Sequence, residues 1–279
     1  MAPTIPQDEQ SRLWNGSAGE AWSALQSPLD TLFERIEHHL AQAVAQGADL
    51  QILDVGCGTG ATALAAAARL AGHGHCLGVD LSAAMIERAR QRAAQTRLPV
   101  SFQVVDAQQL PGRARAFHRI QSRFGVMFFE DPVAGFGSLR ARVRDGGELH
   151  VVTWRGRAEN PFMTLANRVA APLVPTLPTA RPDAPGQFAL ADATRIRAVL
   201  AASGWRDRVL EPLDLPCAMP LSALESYVTR MGPLGQVWDS LDVRLQQRLR
   251  TELLDAFQDF VVGDRVCFVA ACWDIRARR

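Results

Sequence analysis

Between residues 51 and 154, short apolar runs alternate with longer stretches of helical spacing, and that rhythm leaves the chain few ways to fold. The strand-like runs are 51–55, 75–79, 100–105, 118–124 and 148–154. Between them lie the helix-like stretches 59–70, 82–96 with Ser82 as its cap, and 132–143. A helix after a strand carries the chain back to the same end of the sheet, so consecutive strands pair in parallel. The expectation is an α/β fold with a doubly wound, mostly parallel sheet covered by helices on both faces. Upstream, Ser27 reads as a helix cap with Pro28 at the first helical position, followed by Leu32, Phe33, Ile36 and Leu40 at helical spacing.

The rhythm breaks after Trp154, where Pro161, Pro172, Pro175, Pro178, Pro182 and Pro185 interrupt any period. It resumes with a helix at 192–203 and a strand at 208–215, then two helices at 222–231 and 241–260 and a last apolar run at 265–275. This divides the chain into an N-terminal helical segment (1–50), a core (51–155), an insertion (156–189), a core continuation (190–218), a helical insertion (219–263) and a final core strand (264–279). Both insertions are expected to cap the carboxyl ends of the strands.

Composition removes several kinds of chemistry. All 30 basic residues are Arg, and without a lysine amine there is no Schiff base, no pyridoxal-phosphate anchor and no Walker-type phosphate loop. Against 29 acidic residues they leave a net charge of +1, which offers no general grip on nucleic acid or anionic lipid. The five cysteines are scattered, without a CxxC pair, so neither a disulfide framework nor a metal site is expected. The first residues lack a signal-peptide core, and no apolar run is long enough for membrane insertion. A cytoplasmic, soluble protein is the expectation.

The chemistry concentrates where the first strand ends. In the run from Asp54 to Gly60, Gly56, Gly58 and Gly60 alternate as strand turns into helix, which lets backbone N–H groups approach an anionic ligand. The GxGxG spacing and the preceding Asp54 argue against a GxGxxG dinucleotide turn. Asp80 closes the second strand and Asp106 the third. Such acids serve as helix caps in many folds, but at these positions one can accept from both hydroxyls of a ribose and the other from an adenine amino group.

LDVGCGTG (53–60), GVDLSAAM (78–85) and VVDAQQLP (104–111) resemble the successive cofactor motifs of class I S-adenosylmethionine-dependent methyltransferases. WNGSAGEAW (14–22), SRFGVMFFEDP (122–132), VVTWR (151–155), NPFM (160–163), APGQFALAD (184–192) and LAASGW (200–205) extend the resemblance to bacterial small-molecule enzymes related to the ubiquinone/menaquinone-biosynthesis methyltransferases. The resemblance implies a seven-stranded Rossmann-like sheet whose last strand is antiparallel, with S-adenosylmethionine as cofactor and S-adenosylhomocysteine as product. It places Gly56, Gly58 and Gly60 at the methionine moiety, Asp80 and Leu81 at the ribose, and Asp106 and Ala107 at the adenine, and counts Asp54 among the cofactor-binding residues. Ser122 and Arg123 border the methionine end, and Trp14 and Trp22 belong to an N-terminal lid. The chain departs from the family pattern at His118 and at Arg144-Asp145-Gly146-Gly147, both at the amino ends of strands, away from any ligand crevice.

Methyl transfer from a sulfonium needs alignment and dryness more than a protein catalyst, so a catalytic residue need not be visible. Glu130, Arg155 and Tyr227 are the candidates by position, Arg155 as a partner for an acidic substrate. Phe124, Met127, Phe128, Phe129, Phe162 and Met163 offer apolar walls for a small, apolar or aromatic acceptor methylated on O, C or N. Two alternatives stay open: a protein that binds the cofactor without methylating, in a regulatory role, and an NAD-dependent oxidoreductase. Oligomeric state is open too.

Overall fold

The computed structural model describes residues 9–112, 114–179 and 184–279. The first eight residues of the expected lid, and Pro182, lie outside the described residues. Among the described residues, three helices precede the sheet: α1 (Glu9–Trp14), α2 (Ser17–Ala24) and α3 (Gln26–Gln42). Because α3 begins at Gln26, Ser27 and Pro28 sit inside its first turn rather than at the cap and first position. Proline is tolerated there, since first-turn N–H groups have no intrahelical partner. Leu29, Leu32, Phe33, Ile36 and Leu40 form the buried face of α3.

The alternating region gives β1 (Gln51–Val55), α4 (Ala61–Ala67), β2 (His75–Asp80), α5 (Ala83–Ala94), β3 (Val100–Val104), β4 (Phe117–Arg123), α6 (Pro132–Arg142) and β5 (Val143–Trp154). Ser82 caps α5 as expected, accepting from the Met85 N–H. β5 starts earlier than expected because the 144–147 turn is drawn into the strand, with Gly146 at φ +74. Then follow α7 (Pro161–Ala170), α8 (Ala193–Ala202), β6 (Arg206–Pro220), α9 (Leu224–Arg230), α10 (Gly232–Val237), α11 (Val243–Ala256), β7 (Val261–Val262) and β8 (Arg265–Arg278). α7 emerges from the proline-rich stretch, where Pro161 opens the helix and Phe162 anchors it. β6 runs to Pro220, so the core continuation reaches two residues past its expected end at 218.

Strand order is β3-β2-β1-β4-β5-β8-β6, with the short β7 alongside β8. β1 to β5 are parallel, and β8 runs antiparallel between β5 and β6. This is the expected doubly wound sheet with a reversed last strand. On edge strand β6, Pro212, Pro216 and Pro220 pair with Trp273, Val269 and Arg265. The four-residue spacing puts all three on one side of the ladder, and lacking an N–H they fit only with that side turned away from β8. Beyond the sheet, Phe162 stacks on Phe268 at 4.0 Å while Phe257, Phe260 and Tyr227 close around it. Burying such rings contributes about 1.5–3 kcal/mol each, and the aromatic knot holds α7, α9 and α11 to the end of β8.

Candidate active site

The winding reverses between β1 and β4, since β2 and β3 lie to one side of β1 and β4 and β5 to the other. The carboxyl ends of the strands part at such a switch point and leave a crevice. Here it holds about 940 Å³ of empty space, the open mouth included.

The floor is the turn after β1. Gly56 at φ +64 takes left-handed backbone that a side chain resists, and a Cβ there would stand 2.5 Å from the Gly125 Cα, on the turn after β4. Gly58 is bare for another reason: at φ +53 its Cβ would meet only the Met85 Sδ, at 3.7 Å, so the space before it is open to a ligand. Its N–H donates to Asp80 Oδ2 at 2.9 Å, and the Ser82 N–H donates to Oδ1 at 2.9 Å. Burial pushes the Asp80 carboxyl above its ordinary value, and these backbone bonds oppose the shift. Each carboxylate oxygen keeps a further lone pair for a ligand hydroxyl. Asp106 repeats the pattern after β3, where its Oδ1 accepts from the Gln108 N–H at 2.8 Å. Gln108 Oε1 in turn accepts from the Glu130 N–H at 3.0 Å, tying that loop to the one after β4.

Asn15 sets the roof. Its Nδ2 donates to the Leu81 carbonyl and its Oδ1 accepts from the Ala83 N–H, both at 3.1 Å, which fastens the turn between α1 and α2 beside Asp80. Trp14 and Trp22 thereby line the cleft, with Trp14 edge-on to Phe128 at 4.9 Å. The wall after β4 is strained. Phe124, a non-glycine at φ +68, stacks on Trp154 at 4.5 Å and faces the cleft with Phe128 and Phe129.

Of the residues singled out in the sequence, Trp14, Trp22, Gly56, Gly58, Asp80, Leu81, Asp106, Ala107 and Arg123 meet on the cleft walls. Six do not. Gly60 supports the turn instead: its Cβ would press within 2.8 Å of the Phe102 ring. Asp54 lies beneath the floor, accepting from Thr62 Oγ1 at 2.5 Å, with burial pushing its carboxyl up to about 7. Ser122 is fully buried and ties the two turns, donating to the Val55 carbonyl at 2.7 Å and accepting from the Gly125 N–H. Glu130 is exposed. Arg155 is taken by Glu159 at 2.9 Å and Asp214 at 3.0 Å. Tyr227 sits in the aromatic knot, its hydroxyl 3.5 Å from Met163 Sδ and its phenol pushed up by burial. Of the residues expected as apolar walls, Met127, Phe162 and Met163 pack in the core instead of lining the cleft. Asn15 and Gln108 are the residues that sequence reasoning missed. Asn15 lies inside WNGSAGEAW, where the flanking tryptophans drew attention.

Outside the cleft, His39, His150 and Asp274 bring ligand atoms within 4.8 Å of one another, a spacing a metal could use. Two guanidinium groups already occupy the surroundings: Arg119 bonds His150 Nδ1, and Arg276 Nε lies 3.3 Å from Asp274 Oδ2. With His150 Nε2 on Asp274 Oδ1 at 2.6 Å, the cluster is an ionic tie between β5 and β8 with α3 above. The departure at His118 also finds its use, since its Nδ1 accepts the Gln51 N–H at the start of β1.

Residues 52–147 match the family described as methyltransferase domains. That stretch of the chain is similar to a methyltransferase domain. The stretch with a curated relative is partial: aklanonic acid methyltransferase of Streptomyces is 32% identical over 100 residues, 36% of this chain and 46% of the relative. The chain spans under half the length of the curated relatives it matches. Among solved structures, phosphoethanolamine N-methyltransferase 2 of Haemonchus contortus, in complex with S-adenosylmethionine, has a TM-score of 0.59 at 15% identity, over 99% of this chain and 61% of that one. The cyclase SpnF has a TM-score of 0.57 at 17% identity, over 99% of both chains. Likeness at this identity establishes the fold.

Proposed function

We propose that the protein is an S-adenosylmethionine-dependent methyltransferase acting on a small apolar or aromatic acceptor. The observation that carries this reading is the joint placement of the open Gly58 turn, Asp80 and Asp106 on successive strand ends along one cleft. The residues present fit the cofactor: the ribose hydroxyls fall to Asp80, the adenine to Asp106 and Ala107, and the methionine end to the turn at Gly56 and Gly58. Once bound, S-adenosylmethionine supplies an electrophilic methyl group. The chain's own part is to align and to exclude water. Trp14, Trp22, Phe124, Phe128 and Phe129 keep the cleft dry, and orientation alone can supply roughly 7–11 kcal/mol of the barrier. The carboxylates on the walls are engaged, Asp30 with Arg92 at 2.7 Å and Asp80 and Asp106 with backbone N–H groups. This supports transfer to an acceptor that needs no protein base.

Calorimetry with S-adenosylmethionine and S-adenosylhomocysteine, with NAD as comparator and Asp80→Ala as control, tests the reading. Micromolar binding of the first two, lost in the variant, is the expected result; binding of NAD alone refutes it. A second reading, that the cleft serves a reaction other than methylation, takes its support from the shared fold of the cyclase SpnF. Formation of S-adenosylhomocysteine with any member of an acceptor panel excludes it.

A further inference from the structure

The N-terminal helices are fastened to α5 at two places. Asn15 holds its start, through the Leu81 carbonyl and the Ala83 N–H, and α3 holds its later turns. Arg88 and Arg92 stand one turn apart on α5, and Gln26 and Asp30 one turn apart on α3, so the two pairs meet as rungs. Arg88 Nη2 donates to Gln26 Oε1 at 3.0 Å, Arg92 Nη2 lies 2.7 Å from Asp30 Oδ2, and Gln26 Nε2 braces the same oxygen at 2.6 Å. Arg92 has a second hold, since its Nη1 donates to the Thr59 carbonyl at 2.8 Å, inside the glycine turn. One guanidinium therefore joins α3, α5 and the turn after β1.

Asp30 and Thr59 both line the cleft, whereas Arg92 stands behind them. Trp22, also on the wall, lies on the segment between the two fastenings. At Gly19 that segment runs so close to α5 that a Cβ would stand 2.6 Å from Ser82 Oγ. The Asp30 and Arg92 side chains are 21% and 22% exposed, so water and salt screen their attraction only in part. A planar fork that holds a carboxylate with one nitrogen and a carbonyl with another fixes a spacing as well as a charge. Resting on the cofactor reading above, we propose that Arg92 is a positioning residue for the bound cofactor. It touches no ligand; it sets the distance between α3 and the glycine turn, and through that distance the affinity of the cleft.

Calorimetry with S-adenosylhomocysteine on Arg92→Gln, Asp30→Asn and the double variant, beside urea unfolding of each, tests this. Each single substitution should weaken binding by about 3- to 10-fold. The double should lose no more than the larger single, because both remove the same tie. Arg92→Lys, which keeps the charge without the fork, should recover part of the loss, and it carries the comparison should Arg92→Gln not fold. Losses that add refute the shared tie. A larger loss in Asp30→Asn than in Arg92→Gln puts Asp30 itself on the ligand, and an affinity that holds while unfolding free energy falls marks a structural brace; either overturns the proposal, as does a variant that matches the parent in both measurements. A parent that binds no S-adenosylhomocysteine refutes the cofactor reading itself, and amide hydrogen exchange then decides the tie. Exchange in α2 should be about 3- to 10-fold faster in Arg92→Gln with β1 to β5 unchanged, and equal exchange in the two proteins overturns it.

Discussion

Replacing Gly56 and Gly58 separately by alanine tests whether the turn after β1 is glycine for conformation or for closeness. Both have positive φ, +64 and +53, so either substitution carries the left-handed penalty, about 1–2 kcal/mol. Only at Gly56 does the new methyl collide with backbone, 2.5 Å from the Gly125 Cα, where carbon atoms rest at about 3.5–4.0 Å. The two turns must part by about 1 Å, and overpacking of that kind costs roughly 1–3 kcal/mol. Ser122 bonds both turns, to the Val55 carbonyl and the Gly125 N–H, and resists the parting. Gly56→Ala should therefore lose about 2–5 kcal/mol of unfolding free energy and Gly58→Ala about 1–2, read from urea unfolding at constant slope. Affinity for S-adenosylhomocysteine should follow the opposite preference relative to stability, because a methyl on Gly58 projects into open cleft. Equal destabilisation by the two substitutions refutes the steric argument.

Asp54 gives a pH signature. Burial raises its carboxyl to about 7 from an ordinary 3.8, so the folded state binds more protons than the unfolded one between those values and stability is lost as pH rises through that window. Asp54→Asn keeps an acceptor for Thr62 and removes the titration. Between pH 4 and pH 8 the unfolding free energy of the variant should gain about 3–4 kcal/mol on the parent, and parallel curves in chemical denaturation contradict it. Asn15→Ala removes the two bonds that fasten the lid to the loop after β2. At about 0.5–1.5 kcal/mol each, their loss should weaken S-adenosylhomocysteine between a few-fold and about 100-fold in calorimetry, and an unchanged affinity rules out the lid as part of the site.

What the sequence disclosed about the fold was local. Strand β1, its glycine turn and α4 follow one another within a few residues, and the acids closing β2 and β3 are placed by strand period alone, so Asp80 and Asp106 could be assigned to the cleft from spacing. Side-chain direction beyond the strand ends was not legible. Arg155 directly follows β5, yet Glu159 and Asp214 capture it, the latter from β6, nearly sixty residues away. Tyr227 was placed near the crevice by its position in an insertion, but its ring is claimed by Phe162 and its neighbours, a packing no period announces. α7 was hidden because the prolines that follow it mask the apolar spacing it starts with. Ser122 shows the opposite error. It stands where a ligand contact is expected, but its hydroxyl closes the joint between two turns.

The three prolines of β6 bear on what this margin of the sheet can pair with. Sheets recruit further strands through the unpaired donors of an outer margin, and here every second outward position from Pro212 to Pro220 has no hydrogen to give. The opposite margin, β3, is only five residues long. Along that stretch of β6 a further strand would find alternate donors missing, so sideways pairing is disfavoured there.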